Sequence, residues 1–98
     1  MFEFLFSAEA IRHLDRIRSA DRSNIVKRIE SQLKYEPLNA ARNRKSMRPN
    51  KIASWELRVG NFRVYYSVAE VPRRLVTIHA VGQKVHNRVF INGEEVKL

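Results

Sequence analysis

The chain has 98 residues, near the usual size of one domain, and its 44% hydrophobic content is that of an ordinary soluble protein. Nineteen Lys and Arg against ten Asp and Glu leave a net charge of +9, which draws polyanions: nucleic acid, an acidic protein or an anionic surface. The absence of cysteine excludes disulfides, thiolate nucleophiles and zinc-finger patterns, and no run approaches the roughly 18 to 20 apolar residues that cross a bilayer.

No Gly/Ser/Pro-rich linker divides the chain, so a single domain over residues 1–98 is expected. The start Met1-Phe2-Glu3-Phe4 lacks the pattern of a signal peptide, and neither helix described below pairs a basic face with exposed aromatic rings. A cytoplasmic protein with no membrane partner is therefore expected. Three scattered histidines, His13, His79 and His86, have no metal-ligand spacing, so neither a metal nor another cofactor is expected.

Phe2, Phe4 and Phe6 alternate with Glu3 and Leu5, the period of a half-buried strand. Ser7 stands where a helix N-cap belongs, Glu9 suits the first turn, and Leu14 and Ile17 continue the apolar face to about Ser19. A tight turn at Ala20 and Asp21 leads to a second helix capped by Asp21, with Ile25, Val26, Ile29 and Leu33 inward, ended by Pro37. Residues 38–54 show no period and read as loop. Trp55, Leu57 and Val59 then alternate with Glu56 and Arg58. Gly60-Asn61 is a turn pair, and Phe62, Val64, Tyr66 and Val68 alternate with Arg63, Tyr65 and Ser67, which predicts a hairpin with Trp55 and Phe62 in the core. The run Leu75 to Val81 reads as a central strand ended by Gly82. Val89 to Ile91, Asn92-Gly93 and Glu94 to Lys97 read as a closing hairpin.

This order predicts an α+β domain: an N-terminal strand and an αα-hairpin packed on one face of an antiparallel sheet. The other face is left for function, and Arg58, Arg63 and Lys84 converge on it. Guanidinium forks and an ammonium form a phosphate site that needs no metal. RNA cleavage by its own 2′-hydroxyl requires a base, cations to stabilise the phosphorane and an acid for the leaving 5′-oxygen. Arg42, Arg44, Lys45, Arg48 and Lys51 crowd one ten-residue window without an acid and are candidate RNA-backbone contacts, with Tyr65 a candidate to stack on a base.

The segments Trp55-Glu56-Leu57-Arg58-Val59-Gly60-Asn61-Phe62-Arg63-Val64-Tyr65-Tyr66 and Ile78-His79-Ala80-Val81-Gly82-Gln83-Lys84 resemble the central and late strands of RelE/ParE-type toxins. The resemblance implies a RelE-like fold and a toxin held by an acidic cognate antitoxin. In the nuclease branch it implies a target of messenger RNA on the ribosome, with Arg58, Arg63 and Lys84 at the active-site positions. Other members inhibit DNA gyrase without chemistry, and a non-toxic nucleic-acid or antitoxin-binding module is the third reading. Two positions depart from the nuclease pattern: Glu56 stands where a second lysine is frequent, and Phe90 where a C-terminal tyrosine is frequent. Glu56 is then a candidate base and His86, or His79, a candidate acid.

Overall fold

Strand β1 (Glu3–Phe6) stops where Ser7 accepts the backbone N–H of Ala10 at 3.0 Å, which caps helix α1 (Ala8–Asp15) as its sequence predicts. The computed structural model describes residues 1–98. Helix α1 ends earlier than expected: Arg16 N–H and Ile17 N–H bond to His13 and Leu14 carbonyls three residues back, a tightened last turn. Helix α2 (Ser19–Leu33) follows at once, with Arg18 rather than Asp21 at its N-cap. Asp21 lies within the first turn, where its carboxylate suits the helix dipole and sits 3.6 Å from Arg18.

Strands β2 (Arg44–Ser46), β3 (Trp55–Val59), β4 (Phe62–Ala69), β5 (Leu75–Val85), β6 (Arg88–Ile91) and β7 (Glu94–Val96) are neighbours in that order, all antiparallel. Strand β1 joins β5 in parallel, the one parallel pairing in the sheet. The helices cover one face: Ala10, Leu14, Ile25, Ile29 and Leu33 meet Leu57, Val59, Val64, Tyr66, Val76, Ile78 and Val81 in one buried cluster. Trp55 and Phe62 pack against that cluster as expected, half-buried, with Trp55 stacked on Tyr66 at 6.1 Å between centroids.

Three features of the strands depart from the sequence reading. Residues 44–46 form β2 inside the segment expected to be loop, too short for a period to show. Gly82 does not end β5, which runs on to Val85. A Cβ on Gly82 would lie 2.9 Å from Ile91 and 3.0 Å from the Phe90 carbonyl oxygen, so glycine is there to let β6 approach. The turn that follows is His86-Asn87, both left-handed at φ 50 and 65, the same device as Asn92-Gly93 at φ 55 and 81.

A bulge in β5 sets the phase of the site. Tyr65 lies opposite Ala80 but Tyr66 opposite Ile78, so His79 is an extra residue on β5. Unbroken alternation from Val76 and Ile78 would turn Lys84 toward the helices. The bulge instead gives Val81 to the core and brings Lys84 to the open face. On the free edge of β5, between β1 and β6, the side chains of α1 replace a strand. Ser7 donates to the His79 carbonyl at 3.0 Å, and His13 Nδ1 accepts the Val81 N–H at 3.2 Å.

Candidate functional site

The sheet curls about its open face so that both edges, β2 and the β6–β7 hairpin, line one cleft of about 500 Å³. Seven of its lining residues are basic (Lys45, Arg48, Arg58, Arg63, Lys84, Arg88 and Lys97) and two are acidic, Glu56 and Glu95. Lys45 pairs with Glu56 at 3.6 Å and Arg88 with Glu95 at 4.0 Å. The other five cations have no carboxylate within ion-pair distance.

Arg58 and Arg63 are directly opposed on β3 and β4, a like-charge pair that costs stability in a sheet. Arg63 is only 6% exposed. Its Nη1 donates to the Gly60 and Phe62 carbonyls, each at 2.9 Å, which fixes the guanidinium at the hairpin turn. Like charges held this close, with no carboxylate within ion-pair distance of either, favour a bound anion.

Of the residues expected from sequence, Glu56, Arg58, Arg63, Lys84, Lys45 and Arg48 come together in the cleft. Lys51 lies in an adjoining pocket, and Arg42 is exposed outside the cleft. His86 occupies the exposed β5–β6 turn, and the cleft lining passes from Lys84 to Asn87 without it. Two expectations are overturned. Arg44 is buried and turned inward, donating from Nε to the Asn39 carbonyl and from Nη1 to the Gln32 carbonyl and Oε1, so it ties β2 to the end of α2. Tyr65 is fully buried beneath the cleft and offers no face to a base. Burial first, and then the negative charge of Glu56, push its hydroxyl well above the usual tyrosine range; the hydroxyl has no hydrogen-bond partner of normal geometry.

Arg88, Glu95 and Lys97 were missed because only the curl of the sheet swings the last hairpin over the cleft. Phe90 faces the other way, into a pocket with His13 and Ile17, so its missing hydroxyl takes nothing from the cleft. The segment after β2 is not slack. Asn50 donates to the Arg48 and Ala53 carbonyls and accepts from the N–H groups of Ile52 and Ala53.

A helix pair on a curled sheet, the fold this chain shares with RelE/ParE superfamily toxins, leaves an acid-poor cationic cleft on the opposite face. The family model of the ParE toxin of type II toxin-antitoxin system, parDE, matches residues 4–86, and the chain belongs to that family. Among solved structures, a chain in the crystal structure of the toxin-antitoxin complex RelBE2 from Mycobacterium tuberculosis has the same fold, with a TM-score of 0.71. The match covers 85% of this chain and 98% of that one at 23% identity. No curated protein matches the chain. The protein is thus the toxin of a type II toxin-antitoxin module. No helix is long and apolar enough to cross a membrane.

Proposed function

We propose that this toxin is a metal-independent endoribonuclease that cleaves messenger RNA on the ribosome and so stops translation. The observation that carries this reading is the set of cleft cations without carboxylate partners, three of them on adjacent strands beside one carboxylate. Glu56 takes the proton of the 2′-hydroxyl, whose oxygen attacks the neighbouring phosphorus. Arg58 and Arg63 stabilise the phosphorane, and the P–O5′ bond breaks with a proton from Lys84 to the leaving oxygen. The products are a 2′,3′-cyclic phosphate and a 5′-hydroxyl. Lys84 is assigned the acid because it lines the cleft and His86 does not.

An acidic antitoxin would silence the toxin by laying carboxylates against these same cations. The fold likeness to a chain from a toxin-antitoxin complex supports such a partner.

The test is to map RNA 5′ ends on translating ribosomes. Wild-type protein should generate new 5′-hydroxyl ends, and Lys84→Met or Arg58→Met should lower the rate by about 10²- to 10⁴-fold. A second reading, inhibition of DNA gyrase without chemistry, draws on the match to the ParE family. Under it no new ends appear, supercoiling by purified gyrase falls, and Lys84→Met leaves that inhibition intact.

A further inference from the structure

Beside the cleft, and sharing Arg48 and Met47 with it, lies a second open pocket of about 470 Å³ between the 47–54 segment and the sheet. Its polar walls are Arg48, Asn50, Lys51, Ser54, Ser67 and His79, with no acid among its lining residues. Neither Arg48 nor Lys51 has a carboxylate within ion-pair distance, and the nearest acids, Glu9 and Glu94, line the neighbouring pocket on the far side of Lys51 and His79.

His79 is there because of the bulge. As the extra residue of β5 it is half-buried, with Nε2 2.7 Å from Ser67 Oγ and its carbonyl held by Ser7. Nδ1 makes no hydrogen bond within the protein. A strand insertion that aims an imidazole, pinned on one nitrogen, into a cationic pocket is a built feature rather than a solvated surface. The pocket floor does not drift, because Asn50 closes the 47–54 segment on itself and the Met47 N–H bonds to the Ser54 carbonyl at 2.8 Å.

We infer that the pocket formed by Arg48, Lys51 and His79 is a second phosphate subsite, which binds the nucleotide next to the one held in the main cleft. The inference rests on the reading of the cleft as an RNA site and extends it: the ligand is a continuous single strand, with Arg48 standing between two successive phosphate positions. Ammonium, guanidinium and imidazole groups lining one pocket suit the oxygens of a phosphate, and one strand carries such groups at regular intervals.

Affinity should therefore rise with probe length. Two 2′-O-methyl RNA probes, which lack the attacking hydroxyl and are not cleaved, separate the subsites: a dinucleotide with one phosphate and a hexanucleotide with five. The ratio of their affinities is the readout. Wild-type protein should bind the hexanucleotide at least about tenfold more tightly. Lys51→Ala and His79→Gln, the latter keeping a partner for Ser67, should each shrink that ratio several-fold, and Lys51→Ala should also flatten its salt dependence, by about 0.7 in the log–log slope for the phosphate that is no longer neutralised. Circular dichroism and melting confirm that the variants are folded.

Equal affinity for the two probes would overturn the second subsite while leaving the cleft reading standing. Failure to bind either probe would overturn both. A hexaglutamate peptide whose binding depends on Lys51 and His79, with no length effect for RNA, would assign the pocket to an acidic protein segment instead and overturn the proposal.

Discussion

Two buried side chains under the cleft make opposite demands on stability. Arg44 donates three hydrogen bonds to α2 and the chain just beyond it, so Arg44→Ala leaves the Asn39 and Gln32 carbonyls without a partner. It should cost about 1–3 kcal/mol, whereas Arg48→Ala, on an exposed residue, should stay within about 0.5 kcal/mol. Urea melts of both variants measure the difference, and equal effects would mean that Arg44 is not the tie between β2 and α2. Tyr65, by contrast, buries a hydroxyl with no partner of normal geometry next to a carboxylate. Tyr65→Phe should be neutral or stabilise by up to about 1 kcal/mol, and a destabilisation larger than that would show that Glu56 holds the hydroxyl in solution. His86 adopts φ 50, a conformation that costs a residue with a Cβ about 1 kcal/mol or more. His86→Gly should raise the melting temperature and leave the cleavage rate unchanged, and a large fall in rate would restore His86 as the acid.

At the level of elements, the junction of α1 with the open edge of β5 carries a pH-sensitive contact. Partial burial, then the charges of Arg12 and Arg16 against that of Glu9, hold the His13 imidazole below its ordinary pKa, and its Nδ1 must stay unprotonated to accept the Val81 N–H. The folded state therefore binds fewer protons than the unfolded chain, so this contribution is complete at neutral pH. It declines as pH falls through the unfolded value near 6.5 toward the lowered folded one. Denaturant unfolding between pH 7.5 and 5 should show this decline, and His13→Gln, which cannot titrate, should flatten it. A wild-type profile that is level over this range would remove His13 from the account.

Across the whole molecule, the cleft concentrates positive charge that the fold does not neutralise. Two opposed arginines and a lysine on adjacent strands raise the energy of the free protein, and a bound polyanion relieves it. Association with an acidic antitoxin should accordingly be steered by charge. Raising salt should slow binding far more than it speeds release, and Lys45→Glu with Arg58→Glu should lower the on-rate while leaving a measurable complex. Stopped-flow association at several ionic strengths checks this, and a rate indifferent to salt would place the antitoxin interface elsewhere.

The order of elements, the helix cap at Ser7, the inward set of the β3–β4 hairpin and the Asn92-Gly93 turn were all legible in the chain. Each depends on local periodicity or local backbone geometry, which neighbouring residues set. Arg58, Arg63 and Glu56 were legible as cleft residues for the same reason, since one period-2 pattern carries all three. Other features depend on segments far apart in the chain meeting one another. The inward turn of Arg44 answers carbonyls of α2 and the chain after it, and β2 exists because β3 is there to pair with it. The burial of Tyr65 and the contribution of Arg88 and Lys97 follow from the curl of the sheet. Lys84 reaches the open face only through the bulge at His79, where Ser7 and His13 complete backbone hydrogen bonds that no strand neighbour supplies. Alternation along a strand states which residues share a face until an extra residue shifts the phase, and such an insertion is held by tertiary partners that a linear pattern does not contain.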